Sequence, residues 1–232
     1  MRLDHFVAKA SGLSRKDAKR AIGRGAVSVD GSPCRQAASQ VAPTQTVCLD
    51  GQPLSPPGPR YLMLNKPVGV VSSTGDEPHP SALSLIPAEL RPDLRLVGRL
   101  DLDTTGLLLL TNDGQWSHRV TSPRRRCPKT YRVTLADAIA PTALEQLRQG
   151  VELRNDPQPT APAEVIQLGP RSIELTLVEG RYHQVKRMLA AVGNRVVGLH
   201  RTRIGDIQLD PALAPGEFRP LTEAEVGSVG GT

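Results

Sequence analysis

A run of prolines divides this chain in two. Residues 52–60 read QPLSPPGPR, with four prolines and one glycine in nine positions. Proline fixes φ and lacks a backbone N–H, so this run cannot hold a helix or a central strand and favours a stiff, extended connector. We therefore expect a small domain over 1–51, a linker over 52–60 and a larger domain over 61–226. The glycine-rich end, 227–232, is expected to be a disordered tail.

The charge balance points to a polyanionic partner. The formal net charge is +6 and the pI is about 9.6. Lys and Arg side chains bind phosphates with release of counterions, which favours nucleic acid as the partner. Aromatic residues make up only 3% of the chain, which argues against a surface built on many stacked bases.

Several other classes of protein are disfavoured. The three cysteines are widely spaced and lie in no CxxC or Cys/His cluster, so we expect neither a disulfide framework nor a metal site. The N-terminal residues carry charges at once and contain no apolar core of a signal peptide. No apolar stretch approaches the ~18 residues that span a bilayer. We expect a cytoplasmic protein without membrane contact.

The first 51 residues have a readable pattern. Leu3 and Val7 lie at helical spacing, and Ser14 followed by Asp17 resembles a capping box at the start of a second helix. The sequences VSVDG at 27–31 and VCLDG at 47–51 each predict a strand followed by a tight turn. The second helix is strongly basic, and its cationic residues are Arg15, Lys16, Lys19, Arg20 and Arg24.

The segment RLDHFVAKASGLSRKDAKRAIGRGAVSVDG, at 2–31, resembles the S4 RNA-binding domain. That resemblance implies two helices packed on a small sheet, with the second helix and the loop after it facing RNA phosphates. From charge alone, the basic helix could equally be an ordinary solvated face. The order and spacing of the motif favour phosphate binding.

The larger domain alternates strand and helix signals. Strands are predicted at 60–64, 107–110, 130–135 and 173–178, and helices at 140–150 and 183–192. The run Leu107–Leu110 is entirely apolar, which is typical of a strand buried on both faces. Trp116 is expected in the core, after a turn at Asp113-Gly114. We predict an α+β fold with a mixed, mainly antiparallel sheet and flanking helices.

A loop before the apolar strand has the residues for chemistry. Residues 98–106 read GRLDLDTTG, so Arg99 lies two positions before Asp101 and favours its ionised form, which a nucleophile requires. Taken alone, Asp and Gly in a loop more often indicate a turn. If the backbone is extended here, Asp103 points to the opposite side and is structural.

Four motifs together resemble the pseudouridine synthases, in the branch that acts on ribosomal RNA with an N-terminal S4 domain. They are LNKPVG at 64–69, GRLDLDTTGLLLLTNDG at 98–114, KTY at 129–131 and EGRYHQVKRM at 179–188. The order of the four matches the family. With the S4 segment, the resemblance covers nearly the whole chain.

The resemblance implies roles for individual residues. Asp101 matches the catalytic aspartate, Tyr131 the tyrosine that stacks on the target base and can accept a proton, and Lys186 the basic partner of the aspartate, where many relatives carry arginine. Arg99 is expected to help displace the target base. Further RNA contacts are expected from Arg124, Lys129 and Arg187, whereas His183 is read as a packed or hydrogen-bonded residue.

The implied reaction breaks the N1–C1′ bond of a uridine, turns the uracil over and joins C5 to C1′. No cofactor or metal is expected, and the aspartate could add to the sugar or abstract a proton. DGQWSH at 113–118, TSPR at 121–124 and the residues from Gly180 to Met188 look most like the enzymes of small-subunit (16S) ribosomal RNA. The expected partner is that RNA or an assembling 30S particle, and the expected state is a monomer. A large-subunit RNA substrate, or a non-catalytic assembly factor with the same fold, stays as an alternative.

Overall fold

The computed structural model describes residues 1–42, 44–55, 58–73 and 78–229. The chain forms two compact units, one over Met1–Gly58 and one that begins at Pro59. None of the described helices has both the length and the apolar character needed to cross a membrane.

The N-terminal unit contains two helices and a four-stranded antiparallel sheet with strand order β2-β1-β3-β4. Its elements are α1 (Leu3–Ser11), α2 (Arg15–Gly23), β1 (Val27–Val29), β2 (Ser32–Pro33), β3 (Val47–Leu49) and β4 (Gln52–Leu54). The core contains Leu3, Val7, Ile22, Val27 and Val47, all fully buried. This architecture is the one that the S4 resemblance implies.

The two predicted Asp-Gly turns of this unit are confirmed. Asp30 and Gly31 have φ values of 50° and 79°, and Asp50 and Gly51 have φ values of 49° and 79°. Positive φ at both central residues matches the right-handed twist of paired strands, so each dipeptide closes a hairpin. At the start of α2, the Ser14 hydroxyl accepts a hydrogen bond from the Asp17 N–H at 3.1 Å, as the predicted cap requires.

The proposed linker is wrong at its N-terminal end. Residues Gln52–Leu54, assigned to it from the prolines, form β4 and pair with β3. Pro53 fits there because β4 is an edge strand, where a missing N–H removes no ladder hydrogen bond. Residues 56–57 of the predicted linker lie outside the described part of the chain.

The larger unit is built on a nine-stranded sheet. Its strands are β5 (Tyr61–Lys66), β6 (Arg95–Val97), β7 (Thr105–Thr111), β8 (Lys129–Leu135), β9 (Glu164–Gly169), β10 (Ser172–Leu177), β11 (Val196–Ile204), β12 (Ile207–Gln208) and β13 (Phe218–Pro220). Its helices are α3 (Gly114–Thr121), α4 (Pro141–Gln149), α5 (Gln184–Ala191) and α6 (Glu223–Ser228), with 3-10 turns at Ala82–Leu85, Ala88–Leu90 and Pro123–Arg125.

The main strand order is β13-β5-β7-β11-β8-β10-β9, while β12 pairs with β11 and β6 with β7. The β7–β11 pair is parallel and the other pairs recorded in this sheet are antiparallel, which confirms the predicted mixed, mainly antiparallel sheet.

Strand β7 is buried on both faces, as its apolar run predicts. Leu108 and Leu110 pack in a cluster with Ile86, whereas Leu107 and Leu109 pack on the other side with Trp116. Alternation along the strand therefore sends the four leucines into two separate cores. A third core lies under α4 and α5, against β8, β9 and β10.

The predicted turn at Asp113-Gly114 is wrong. Asp113 is the N-cap of α3, and its carboxylate accepts hydrogen bonds from the N–H groups of Gln115 and Trp116 at 2.9 and 3.1 Å. An aspartate at this position satisfies helix donors that no backbone carbonyl reaches. Trp116 is buried, as predicted, and its indole N–H donates to the carbonyl of Val226 at 2.9 Å.

The C-terminal prediction is also wrong in part. Helix α6 continues to Ser228, and Val229 packs against the core that contains Trp116. A capping box between Thr222 and Glu225 begins the helix, and Arg219 binds the Glu225 carboxylate at 2.8 Å. Residues 230–232 lie outside the described part of the chain.

Candidate active site

The loop between β6 and β7 carries Asp101 and is tightly anchored. The buried Lys66 ammonium donates to the carbonyls of Pro67 and Thr104, at 2.9 and 2.8 Å. The Gly69 N–H donates to the Leu102 carbonyl at 3.0 Å. The NKPVG segment, which begins with the last two residues of β5, therefore anchors the Asp101 loop, so two motifs distant in the sequence contribute to one site.

Gly106 brings the start of β7 against β11. Its φ is +100°, and a Cβ atom at this position would lie 2.3 Å from the Arg201 carbonyl oxygen. Only glycine allows this backbone conformation and this approach. The parallel pairing of His200 with Thr105 and of Arg201 with Gly106 depends on it. The glycine that ends the GRLDLDTTG motif thus holds Arg201 close to the Asp101 loop.

The Asp101 carboxylate lies between two side chains of the EGRYHQVKRM segment. Lys186 Nζ donates to Asp101 Oδ2 at 3.1 Å, and His183 Nε2 lies 3.5 Å from Asp101 Oδ1. Lys186 is on α5, and His183 is the N-cap of that helix. His183 has φ 47° and ψ 36°, a left-handed conformation that is uncommon for a residue with a side chain.

Asp103 lies on the same side as Asp101, so its predicted opposite orientation is wrong. Lys186 Nζ donates to Asp103 Oδ1 at 2.6 Å. The backbone here is a turn, in which the Thr104 N–H donates to the Asp101 carbonyl at 3.1 Å. The side-chain alternation of an extended strand therefore does not apply, and one ammonium holds both carboxylates.

The protonation of Lys186 is favoured by its partners. Burial on its own lowers the pKa of this lysine, but hydrogen bonds to Asp103 and Asp101 outweigh burial, and the net pKa is raised. The hydrogen bond from Lys186 lowers the pKa of Asp103. The site therefore holds a permanent positive charge beside the Asp101 carboxylate at neutral pH.

Tyr131 lies on β8, between Arg201 of β11 and Leu175 of β10 in the register of the sheet. The Arg201 guanidinium carbon is 5.9 Å from the centroid of the Tyr131 ring. Arg201 is 3% exposed, and its Nε and Nη1 donate to the carbonyls of Leu107 and Arg99 at 2.8 and 3.3 Å. Its Nη2 has no hydrogen-bond partner among the described residues.

One cleft of about 630 Å³ is lined by Asp101, Tyr131, His183, Lys186 and Arg201. Of the residues predicted from the sequence, the cleft is lined by Arg99, Asp101, Lys129, Tyr131 and Lys186. Lys129 Nζ donates to the Cys127 carbonyl at 2.8 Å, and burial lowers the pKa of this lysine. A volume of this size is typical of small-ligand sites and accommodates one nucleotide unit.

Two other predicted RNA contacts do not line the cleft. Arg187 pairs with Asp156 at 2.7 Å and donates to the carbonyl of Arg154 at 2.8 Å, so its side chain fastens a neighbouring loop. Arg124 lies exposed in the 3-10 turn that follows α3.

The basic residues of α2 are in the N-terminal unit and are exposed. Four of them have acidic neighbours. Arg15 and Lys19 lie 3.5 and 3.9 Å from the fully buried Asp4 carboxylate, Arg20 pairs with Asp17 at 3.2 Å, and Arg24 pairs with Asp50 at 3.5 Å. The Arg2 hydrogen bond is the largest cause of the lowered pKa of Asp4. Asp4 thus fixes part of the basic face of α2 against α1.

The sequence did not single out Lys66 and Arg201, and it predicted His183 to be a packed or hydrogen-bonded residue without a place in the chemistry. Lys66 lies inside the NKPVG motif, and this position is the one feature of the sequence that indicates a role at the site. Arg201 lies on a strand that was not predicted and carried no signal of its own. His183 contacts the Asp101 carboxylate, which a helix position alone does not reveal.

Comparison with known families agrees with this geometry. Residues 60–191 match the sequence model of the RNA pseudouridylate synthase family, and residues 1–47 match that of the S4 domain. The chain belongs to the RNA pseudouridylate synthase family and is an RNA-isomerising enzyme with an S4 domain.

Its relatives include the Ribosomal small subunit pseudouridine synthase A of Salmonella typhimurium (strain LT2), 54% identical over 231 residues, which span 99% of this chain and 100% of the relative. The protein of that name from Escherichia coli (strain K12) is 54% identical over 230 residues, with the same coverage. A crystal structure of pseudouridylate synthase superposes with a TM-score of 0.73 at 45% identity, over 99% of both chains.

Proposed function

We propose that this enzyme isomerises one specific uridine of small-subunit ribosomal RNA to pseudouridine, with Asp101 as the catalytic aspartate. The observation that carries the proposal is the Asp101 carboxylate, hydrogen-bonded to Lys186 at 3.1 Å in a cleft that Tyr131 also lines. The names of relatives that are 54% identical over essentially the full chain support the choice of RNA.

The chemistry needs one carboxylate at C1′ of the target. In one route Asp101 adds to C1′ as the N1–C1′ bond breaks, the uracil rotates, and the Asp101–C1′ bond breaks as C5 bonds to C1′. In the other route Asp101 removes the C2′ proton as the uracil leaves to give a glycal, and it returns that proton to C2′ as C5 of the rotated uracil bonds to C1′. The C5 proton leaves and N1 gains one, so substrate and product contain the same atoms. Isomerisation therefore needs no group donor or redox cofactor.

The other cleft residues support this step. The Lys186 ammonium stabilises the negative charge of the Asp101 carboxylate before the reaction, and it remains beside that carboxylate as the carboxylate charge changes during the reaction. The Tyr131 ring stacks on the extruded uracil, and its hydroxyl is a candidate acceptor for the C5 proton. Arg99, exposed at the cleft, fills the place that the uridine leaves when it is extruded from the RNA stack.

The N-terminal unit supplies affinity in this proposal. The exposed cations of α2 bind phosphates, and their attraction is independent of sequence. The partner is the RNA itself or an assembling 30S particle, the enzyme acts as a monomer, and its substrate places it in the cytoplasm.

The test compares Asp101→Asn with Asp103→Asn. The two substitutions lie in the same turn, remove the same charge and take away a partner of the same lysine. Each purified protein is incubated with unmodified small-subunit RNA and with large-subunit RNA, and pseudouridine is mapped by chemical labelling. Asp101→Asn should yield no product, whereas Asp103→Asn should retain measurable activity.

Each result has a definite meaning. Product in the Asp101→Asn reaction at the wild-type rate would overturn the catalytic assignment. Product on large-subunit RNA alone would overturn the choice of substrate. Wild-type protein that binds small-subunit RNA but modifies neither RNA would favour a non-catalytic assembly factor.

A further inference from the structure

Among the Phe, Trp and Tyr side chains, all of which are in the described part of the chain, only Tyr182 is exposed, and it lies at the active cleft. Tyr182 is 75% exposed and lines the cleft with Asp101. The chain has six aromatic residues, and the other five are buried or partly buried: Phe6, Tyr61, Trp116, Tyr131 and Phe218. A single exposed apolar residue is ordinary, so its exposure needs a second observation before it indicates a site.

That observation is the contact between Tyr182 and His183. The two rings stack with centroids 3.8 Å apart and an interplanar angle of 21°. His183 is in turn 3.5 Å from the Asp101 carboxylate. One face of the Tyr182 ring is covered by the imidazole, and the exposed ring lies one residue from a group that contacts the reacting carboxylate.

The backbone that presents Tyr182 is held rigidly. The Arg181 N–H donates to Gln184 Oε1 at 2.8 Å, and the Arg181 guanidinium donates to the carbonyls of Gln158 and Pro159, both at 2.7 Å. Arg187 Nη1 donates to the Tyr182 carbonyl at 3.3 Å. These hydrogen bonds fix the backbone, and the stack on His183 orients the ring, so the ring loses little freedom when a flat partner stacks on its other face.

The reaction creates such a partner. When the target uridine leaves the RNA stack, each neighbouring base loses the ring that covered one of its faces. Aromatic side chains stack on bases of any sequence, because every base has a π-face. An exposed, preorganised tyrosine beside the cleft suits that neighbour.

We propose that Tyr182, backed by His183, forms a second base-binding subsite, which stacks the base of a nucleotide adjacent to the target uridine. This inference rests on the proposed function, because it takes RNA with an extruded uridine as the ligand. The enzyme would then bind two bases at once, the target uracil in the cleft and a flanking base on Tyr182.

The first test measures kinetics. Tyr182→Ala should lower kcat/KM by about 5- to 150-fold, the range for loss of one base stack, mainly through KM. Tyr182→Phe restores the ring and should recover most of this loss. Val197→Ala, which truncates an exposed apolar side chain that does not line the cleft, is the matched control and should leave KM unchanged.

The second test removes the base instead of the ring. RNA fragments with an abasic nucleotide on the 5′ or the 3′ side of the target are compared with intact RNA. One of the two abasic RNAs should reduce wild-type kcat/KM by the same factor as Tyr182→Ala, with no further loss when both changes are combined. Independent, multiplying losses at both positions would overturn the proposal, and so would a Tyr182→Ala variant with wild-type kinetics.

The third test is independent of catalysis. RNA with 2-aminopurine beside the target should lose fluorescence on binding to wild-type protein and to Tyr182→Phe, but not to Tyr182→Ala. Quenching that depends on the ring, in a wild-type protein that makes no pseudouridine, would support the subsite and overturn the proposed function. Binding of wild-type protein without quenching at either flanking position would overturn the subsite and leave the proposed function standing.

Discussion

Replacing Gly106 by alanine tests whether the seam between β7 and β11 holds the site together. The substitution puts a Cβ atom 2.3 Å from the Arg201 carbonyl oxygen, on a residue with φ +100°. An L-residue in such a conformation costs roughly 1–3 kcal/mol. Relief of the clash needs a separation of roughly 1 Å between the strands, since ordinary C···O contacts begin near 3.3 Å, and overpacking of this kind costs about 1–3 kcal/mol more. We expect a total loss of about 2–6 kcal/mol, with a central value of about 4 kcal/mol.

The assay is urea unfolding followed by Trp116 fluorescence. Trp116 is the only tryptophan, is 1% exposed and packs in the same core as Leu107 and Leu109 of β7, so its emission reports on the catalytic unit. With an m-value of about 2 kcal/mol per molar urea, the midpoint should fall by about 2 M. Because Arg201 is held at this seam, pseudouridine formation should fall as well.

The matched control is Gly114→Ala. Gly114 is the first residue of α3, and a Cβ atom there meets nothing within 4 Å. Alanine is a better helix former than glycine, so this variant should be as stable as wild type or more stable by up to about 1 kcal/mol. Equal urea midpoints for Gly106→Ala and Gly114→Ala would refute the reasoning, because the close approach of β7 and β11 would then not contribute to stability.

Two further predictions concern charge. Burial lowers the pKa of Lys66 to about 8, so between pH 8 and 10.5 the unfolded chain binds more protons than the folded one. The free energy of unfolding should therefore rise with pH in this range, by up to about 1.4 kcal/mol per pH unit. Urea titrations at pH 7.5, 8.5 and 9.5 should show that rise in the wild-type protein and not in Lys66→Met. An unchanged slope in Lys66→Met would show that another group titrates. The other prediction concerns RNA binding by the N-terminal unit, measured as the slope of the logarithm of the binding constant against the logarithm of salt concentration. The double variant Lys16→Ala/Arg20→Ala should reduce the magnitude of that slope by about 1.4–1.8. The control Arg171→Ala/Arg195→Ala, which removes the same charge at exposed positions of the larger unit, should leave the slope unchanged. Equal slopes for the two double variants would show that α2 does not bind the RNA phosphates.

Local chemistry determined the parts of the fold that the sequence predicted well. The hairpins at Asp30 and Asp50 follow from the ease with which Asp-Gly adopts positive φ. The cap at Ser14 follows from the demand of the first helix N–H groups for an acceptor. The four leucines at 107–110 identify a strand buried on both faces, because a strand with one solvated face alternates apolar and polar residues.

The same local signals failed where a tertiary contact decided the outcome. Asp113-Gly114 has the composition of the two hairpin turns, yet it begins a helix. Trp116 packs in the core, and the Asp113 carboxylate accepts hydrogen bonds from the N–H groups of Gln115 and Trp116. Pro53 lies in a strand and not in a linker, because a sheet edge accepts a residue without an N–H donor.

The candidate site divides along the same line. The sequence by itself determined which motifs hold Asp101, Tyr131 and Lys186, since each stands in a recognisable segment. Only the tertiary structure decided that Asp103 shares the Lys186 ammonium and that Arg201 lies under Tyr131. The reason is physical: a side chain's partners depend on which way the backbone turns and on which strands pair, and both are set by packing between segments far apart in the chain.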